Sequence, residues 1–257
     1  MKRTLLALTA ALLALTACDT KTVKFDELTV DIEYPYSEGS SNSLTLNADV
    51  DFPTSGFNKA DLPRVCEAIR SACFGEGYKE FSGTLEELGM SWRDSWHEDY
   101  MTTNAQMLKE MEMSESDAPF LNWEITSYGS FGDFYQHYIN YIIESFQYLG
   151  GAHGVNTMTP VVFDLNTGEE VPYSAFTGNV SQSQLVALLD KHKYDALENM
   201  IKEDDIDREN IFYVEKIEPS RHFTVDDDGI TFYYQPYDVA AYVFGVIQIP
   251  IPWEELR

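Results

Sequence analysis

Histidine and carboxylate side chains give this chain its main capacity for chemistry, but their spacing matches no catalytic or metal-binding motif. The five histidines are scattered, and the sequence has no His-Glu-x-x-His pair that would suggest a zinc site. It also lacks a Gly-x-Ser-x-Gly nucleophile turn and the glycine-rich phosphate loops. The segment Asp226–Gly229 begins like a calcium loop, yet it lacks alternating ligands and a closing glutamate. We therefore expect no metal or cofactor here, and we interpret Asp226–Gly229 as a hairpin turn.

The 43 acidic residues leave one enzymatic alternative open, since two carboxylates at the right separation could hydrolyse a glycan. Trp92 and Trp96, close to Glu98, would suit sugar stacking. The spacing of both tryptophans also fits the core stripe of a helix, which is the interpretation we favour. His192 lies among the leucines of another helical stripe, so we expect a packed, hydrogen-bonded core histidine. No catalytic residue is assigned.

The segment Tyr148–Gly154 is different because a double glycine follows a long apolar run. Gly150 and Gly151 would let the backbone turn sharply or approach another chain segment closely. A side chain at Gly151 is expected to meet either a forbidden φ or a close neighbour. His153 is interpreted as a turn-organising hydrogen-bond partner rather than a catalytic base. The segment is thus a candidate structural or binding motif.

The N-terminal half contains two predicted strands followed by two predicted helices. Alternation predicts strands over Val23–Tyr34 and Ser43–Phe52. An apolar stripe predicts a helix over Leu62–Cys73. A second helix is predicted to begin at Thr84, with Glu87 as its capping-box partner. The apolar stripe of that second helix consists of Leu85, Leu88, Trp92, Trp96, Met107, Leu108 and Met111.

Beyond Pro119 the pattern changes to that of strands. Phe131–Phe134 is predicted to form a turn, and Tyr135–Leu149 a long aromatic strand that is apolar on both faces and therefore covered on both. Thr159–Leu165 and Glu169–Tyr173 are predicted to pair as a hairpin around Asn166–Gly168, where the glycine supplies a positive φ.

The clearest helix signal in the chain starts at Ser181, which can cap a helix with Gln184 in the reciprocal position. Its core face is predicted from Leu185, Leu188, Leu189, Leu197, Met200 and Ile201. Strands are predicted over Ile230–Tyr234 and Val246–Ile251. Because strands and helices come in uneven groups, we predict an α+β fold with a largely antiparallel sheet packed against helices.

The N-terminus has the composition of a secretory signal peptide. Lys2 and Arg3 precede a short apolar run that is too short to span a membrane. The closing Leu-Thr-Ala-Cys sequence, which ends at Cys18, resembles the lipobox of bacterial lipoproteins. That resemblance implies that Cys18 becomes the lipid-bearing first residue, acylated for example with palmitate. The mature chain would then be anchored to a membrane outside the cytoplasm, in the periplasm or at the cell surface.

These observations predict four segments. Residues 1–17 form the signal peptide and residues 18–22 a lipidated tether. Residues 23–118 and 119–257 form two intimately associated α+β subdomains.

The net charge of −26 limits the class of partner. Such a field repels nucleic acid and anionic lipid headgroups, and it attracts basic proteins and cations. An acidic surface can also serve solubility alone. We expect no nucleic-acid partner.

Cys66 and Cys73 are the two thiols that remain once Cys18 is lipidated. They are seven residues apart on one helical stripe, which separates their backbones by roughly 10 Å and so prevents a disulfide. Two buried free thiols are therefore predicted.

The order of several C-terminal motifs resembles one family. These are the Gly-Gly-Ala-His-Gly segment, Phe163-Asp164-Leu165-Asn166-Thr167-Gly168, the helix capped at Ser181, and Gly229 to Pro236-Tyr237. Together they resemble domain of unknown function 3298, the domain of the lysozyme-sensing extracellular part of the anti-sigma factor RsiV. Asp164 and Tyr237 join Gly150, Gly151 and His153 as candidate motif residues on this basis. Residues 23–118 resemble a companion domain of unknown function that also occurs beside a peptidoglycan deacetylase.

The resemblance implies a binding or sensing role with no established catalysis. We expect a non-enzymatic cell-envelope lipoprotein whose ligand is a cationic protein such as lysozyme or a cell-wall component. The alternative is a hydrolase or transferase that acts on cell-wall glycan through paired carboxylates.

Overall fold

The computed structural model describes residues 22–203, 206–208 and 211–256. Cys18 and the predicted signal peptide lie outside these residues. The strands of the described chain are β1 Lys24–Pro35, β2 Ser43–Ser55, β3 Trp123–Tyr135, β4 Tyr138–Leu149, β5 Val155–Met158, β6 Val161–Asp164, β7 Phe223–Val225, β8 Gly229–Tyr234 and β9 Ile247–Pro252. The α-helices are α1 Leu62–Phe74, α2 Leu85–Met111, α3 Gln182–His192 and α4 Glu198–Glu203. Among these residues, none of the helices has the length and apolar character of a transmembrane segment.

The described residues form two compact units. The first contains the residues up to Ser130 together with Glu144–Val155, and the second contains Phe131–Ile143 together with the residues from Asn156 onward. β3 and β4 each contribute residues to both units. The boundary predicted between residues 118 and 119 precedes β3.

The larger sheet has the strand order β1-β2-β3-β4-β5, with β6 paired to β4. β1 and β2 are antiparallel, whereas β2 and β3 are parallel, with Leu44 opposite Trp123. β7, β8 and β9 form a separate antiparallel sheet. The predicted α+β class with mostly antiparallel strands is confirmed.

The core of the first unit follows the alternation of its strands. Leu28 and Val30 of β1 lie opposite Val50 and Ala48 of β2 and are buried. α2 packs on this face, where Gly89 lies close to the side chains of Leu28 and Val30. α2 begins with the predicted capping box of Thr84 and Glu87.

The predicted core stripe of α2 is correct at its start and wrong at Met111, while Met107 and Leu108 are partly buried against a core cluster. Leu88 and Trp92 are buried, whereas Met111 is 54% exposed. Tyr100 and Asn104 occupy the buried positions instead. The Tyr100 hydroxyl donates a hydrogen bond to the carbonyl oxygen of Leu121, which satisfies its polar atom inside the core.

The predicted cysteine helix is confirmed as α1, which ends at Gly75. Cys66 and Cys73 are both free, as predicted. Cys73 is buried, but Cys66 is only partly buried, so the prediction of two buried thiols is wrong for Cys66.

The predicted turn at Phe131–Phe134 is wrong, because β3 continues through it to Tyr135. The chain reverses at Gln136 and His137, where Gln136 has a φ of 55°. Gly132 and Asp133 suggested a turn by composition. In the structure, the Asn140 side chain on β4 instead donates a hydrogen bond to the carbonyl oxygen of Asp133 and holds the strand in place.

In the second unit, α3 has the predicted capping box of Ser181 and Gln184. The predicted core residues Leu185, Leu189, Leu197 and Ile201 are all buried, but they do not lie on one continuous helix. α3 ends at His192, and the chain turns before a short 3-10 helix and α4. Tyr194 packs edge-on against Phe212 at this turn. Packing across the break therefore replaces the continuous helix that the periodicity predicted.

The two predicted hairpin turns are both present. Gly168, with a φ of 66°, closes the turn after β6, and its N–H donates to the carbonyl oxygen of Asp164. The strand after that turn is reduced to a single bridge at Glu170, since Pro172 has no N–H to extend the ladder. At the other turn, the Asp226 side chain accepts hydrogen bonds from the backbone N–H groups of Asp228 and Gly229.

Candidate functional site

One face of the first unit's sheet carries a concentration of carboxylates. The register of β1, β2 and β3 places on this face the residues that alternate with the helix-covered core. Its acidic members are Glu27, Asp31, Glu33, Asp49, Asp51 and Glu124. We call these six residues the acidic sheet face. The other positions of β1–β3 between them hold threonine, asparagine or tyrosine, and none holds lysine or arginine.

Side chains of the acidic sheet face are accessible to solvent, and their like charges repel one another. Asp31, Glu33, Asp49 and Glu124 are exposed. A hydrogen bond with Asp49, followed by partial burial and by the charge of Asp49, raises the pKa of Glu27. Like charges on neighbouring strands repel, so a bound cation would relieve this repulsion.

Sequence reasoning missed this face as a site. The signal was present as acidic residues on the alternate positions of each strand, namely Glu27, Asp31 and Glu33 on the first strand, interrupted by Thr29, and Asp49 and Asp51 on the second. Strand pairing turns two separate alternating patterns into one surface.

The double-glycine motif has a structural role, but at different positions from the predicted one. Gly150 has a φ of 74°, and a Cβ atom there would overlap the carbonyl oxygen of Phe120. A Cβ atom on Gly154 would overlap the ring of Phe146. A Cβ atom on Gly151 would meet no atom within 4 Å, and Gly151 has no positive φ, so the constraint predicted there is wrong. The close approaches to other atoms are therefore at Gly150 and Gly154.

His153, in the same motif, is exposed. Its Nδ1 lies 3.1 Å from the carbonyl oxygen of Gly154. That contact agrees with its predicted role in organising the turn.

Asp164 and Tyr237 lie in the second unit, whereas Gly150, Gly151 and His153 lie in the first. Asp164 accepts a hydrogen bond from the backbone N–H of Asn166, and its Oδ2 lies 3.6 Å from Nε2 of His137. Tyr237 has a φ of 72°, is 54% exposed and stacks on Tyr242. The five candidate residues are therefore not assembled within one unit.

Two cavities each lie within a single unit. The cavity of the first unit measures about 320 Å³, and its wall includes Cys73, Trp92, Trp96 and Ser127. Trp92 is 3% exposed, which supports the predicted core role, whereas Trp96 is only partly buried and lines the opening. The Ser127 hydroxyl donates a hydrogen bond of 2.6 Å to the carbonyl oxygen of Cys73.

The cavity of the second unit measures about 280 Å³ and has an aromatic wall. We call it the aromatic cavity; its lining includes Tyr135, Gln136, Tyr138, Ala175, Phe176 and Trp253. The rings of Tyr135 and Trp253 stack with centroids 4.9 Å apart. Sequence reasoning missed it, because the rings come from distant segments and only the turn at Gln136 brings Tyr135 and Tyr138 together.

His192 bridges two carboxylates in the second unit. Its Nδ1 lies 2.7 Å from Asp195 and its Nε2 3.0 Å from Glu255, which also pairs with Lys191. These contacts tie the end of α3 to the C-terminal segment and fit the predicted hydrogen-bonded histidine. Among the described residues, no group of histidine, cysteine or acidic side chains is arranged to hold a metal ion.

Residues 176–254 match the model of a family described as a protein of unknown function, DUF3298. The match identifies a DUF3298 domain over these residues, which make up less than half of the chain. The matched residues lie in the second unit and include Phe176 and Trp253 of the aromatic cavity.

Two solved structures of DUF3298 family members resemble about nine tenths of the chain. A member from Bacteroides fragilis NCTC 9343 is 24% identical, with 90% of this chain and 91% of that chain covered and a TM-score of 0.74. A member from Pseudomonas aeruginosa PAO1 is 13% identical, with 91% and 93% covered and a TM-score of 0.60. At these identities the likeness shows the fold alone. A search of curated proteins finds no match.

Proposed function

We propose that this DUF3298 protein is a cell-envelope lipoprotein that binds a cationic protein, such as lysozyme, through the acidic sheet face. The observation that carries the proposal is the arrangement of six carboxylates on one face of β1–β3, with no basic side chain at the positions between them. Complementary charge accelerates association and selects the partner. The net charge of −26 adds a long-range field of the same sign.

The N-terminal sequence supports the location that we propose. The basic start, the short apolar run and Cys18 in a lipobox-like setting favour export and acylation. One lipid chain binds a membrane only reversibly, so a second acyl chain would be needed for stable anchoring. The acidic sheet face would then be presented to soluble basic proteins of the envelope.

The alternative, hydrolysis of cell-wall glycan, requires two carboxylates on opposite sides of a bound sugar. Glu27 and Asp49 are the close carboxyl pair of the acidic sheet face, and they are hydrogen-bonded to each other on adjacent strands. A pair whose members bind each other is poorly arranged to flank a substrate. This arrangement supports binding over catalysis.

The proposal is tested by titrating the full chain with hen lysozyme as the cationic probe. The variant Asp31→Asn/Glu33→Gln/Glu124→Gln removes three exposed charges from the acidic sheet face. We expect its affinity to fall about tenfold, mainly through slower association. The control Glu98→Gln/Asp99→Asn/Glu110→Gln removes the same charge from exposed positions of α2 and should keep most of the affinity.

Equal losses in the two triple variants would show that only net charge matters and would refute a specific face. Release of reducing sugar ends from peptidoglycan by the wild-type chain, and not by buffer, would favour the enzymatic alternative instead.

A further inference from the structure

We infer that the aromatic cavity of the second unit binds a neutral pyranose ring, such as an N-acetylhexosamine unit of a glycan. This site is separate from the acidic sheet face and takes a different class of ligand. Four observations carry the inference: the chemistry of the wall, the absence of charge from the lining, the position of Gln136, and the size of the cavity.

The wall consists of rings arranged around an opening. Tyr138 meets Phe176 edge-on at 4.8 Å, and Tyr135 stacks on Trp253. The indole N–H of Trp253 donates a hydrogen bond to the carbonyl oxygen of Asp226, which fixes the ring orientation. Rigid aromatic rings offer an apolar surface at low entropic cost, and the C–H face of a sugar packs well against such a surface.

Among the residues that the structure describes, the lining contains no acidic or basic side chain, although the chain has 43 acidic residues. A cavity without charge, in a protein of net charge −26, selects against anions and gives a cation no partner. The polar groups that remain are hydroxyls and an amide, which suit the hydroxyl and acetamido groups of a neutral sugar.

Gln136 is held at the rim by an unusual backbone conformation. Its φ of 55° is uncommon for a residue other than glycine, asparagine or aspartate. Glycine would relieve this strain, but it would remove the amide donors and acceptor. The Gln136 side chain lines the cavity, where its amide can donate hydrogen bonds to a ligand and accept them from it.

The volume of about 280 Å³ lies at the small end of ligand pockets and suits one ring of a longer glycan. A single sugar contacts few groups, so we expect weak binding, with a dissociation constant in the range of about 1 mM.

The test is a titration of the full chain with the neutral trisaccharide of N-acetylglucosamine, followed by tryptophan fluorescence. The detergent used must have no sugar headgroup. Ala175→Phe places a ring in the cavity and should abolish saturable binding. Gln136→Gly suits the observed backbone and removes the amide, so affinity should fall about five- to tenfold, as for one lost hydrogen bond.

Glu112→Gly is the matched control. Glu112 also has a positive φ, of 51°, but it follows α2 in the first unit. The Glu112→Gly variant should bind the trisaccharide like the wild type. Thermal unfolding checks that each variant is folded. A wild-type chain that shows no saturable binding up to about 10 mM trisaccharide would overturn the inference. Wild-type affinity in either cavity variant would also overturn it. Lysozyme binding to each variant, measured in separate titrations without the trisaccharide, reports on the acidic sheet face.

Discussion

The acidic sheet face and the aromatic cavity use opposite physical means to recognise a ligand. The face is open, charged and built from regular strands whose alternation exposes every second side chain. The cavity is small, lined by uncharged side chains and built from rings that distant segments bring together. Electrostatic attraction acts over a distance but is screened by salt. Contacts with aromatic rings act only at van der Waals distance and depend little on the salt concentration. One chain can therefore hold two sites whose responses to solution conditions differ.

The largest effect is expected from a change that should leave both regions intact. Cys18→Ala removes the thiol that would be acylated, so the protein should move from the membrane fraction to the soluble fraction. Lysozyme and trisaccharide binding should both persist. Fractionation of cells expressing the two forms measures this. A variant that stays entirely in the membrane pellet would rule out lipid anchoring through Cys18.

Gly150 provides a test that should affect the first unit. Gly150→Ala forces a Cβ atom onto the Phe120 carbonyl at a φ of 74°, so the free energy of unfolding should fall by more than about 3 kcal/mol. Gly151→Ala, at an open position, should change it by less than about 0.5 kcal/mol. Chemical denaturation of both variants gives the comparison. Similar values for the two would show that the close approach at Gly150 is not formed.

Salt should separate the two sites most directly. Raising the salt concentration from about 50 to about 500 mM should weaken lysozyme binding about a hundredfold, because exposed charges are screened. Trisaccharide binding should change less than about twofold over the same range, because the cavity lining is uncharged. Parallel titrations at several salt concentrations measure both slopes. A salt-independent lysozyme affinity would contradict the proposed role of the acidic sheet face.

A smaller effect is expected from pH. The pKa of Glu27 is raised in the folded chain. The interactions of protonated Glu27 therefore stabilise the fold at pH values below the ordinary carboxyl pKa. This stabilisation is lost as the pH rises through the raised pKa. The newly charged Glu27 should then strengthen lysozyme binding about two- to fivefold, the size expected for one exposed charge pair. Glu27→Gln should remove this step from the pH profile, while trisaccharide binding should show no step at that pH in either protein.

The smallest effect concerns strain at the cavity rim. Gln136→Gly replaces a strained residue by one that adopts a φ of 55° freely, although glycine also gains entropy in the unfolded chain. We therefore expect the free energy of unfolding to change by less than about 1 kcal/mol, in contrast to the loss of sugar affinity. Denaturant titration of this variant measures it. A large destabilisation would mean that the Gln136 side chain serves packing instead.

The sequence was most informative where local signals agree with tertiary packing. The capping boxes at Thr84 and Ser181 and the alternation in β1 and β2 predicted the observed elements. It was misleading at Phe131–Phe134, where glycine and aspartate suggested a turn but cross-strand bonds kept the strand extended.

Both candidate sites depend on contacts between different elements of the fold. The alternating acids of β1 and β2 become one surface only when the strand register is known, and Phe176 meets Tyr138 only through the fold. Local periodicity contains no information on these contacts. The sequence therefore predicted the strands β1 and β2, but it did not predict the common surface that their side chains form.

The parallel pairing of β2 with β3 has a consequence for folding during synthesis. Both α1 and α2 lie between these strands in the chain, so β3 emerges from the ribosome long after the β1–β2 hairpin. Pairing across such a long connection is slow, and the hairpin must wait with an unpaired edge. Exposed strand edges invite aggregation, and charged side chains on them oppose it. We therefore expect the carboxylates of β1 and β2 to oppose aggregation of the early hairpin until β3 pairs with it.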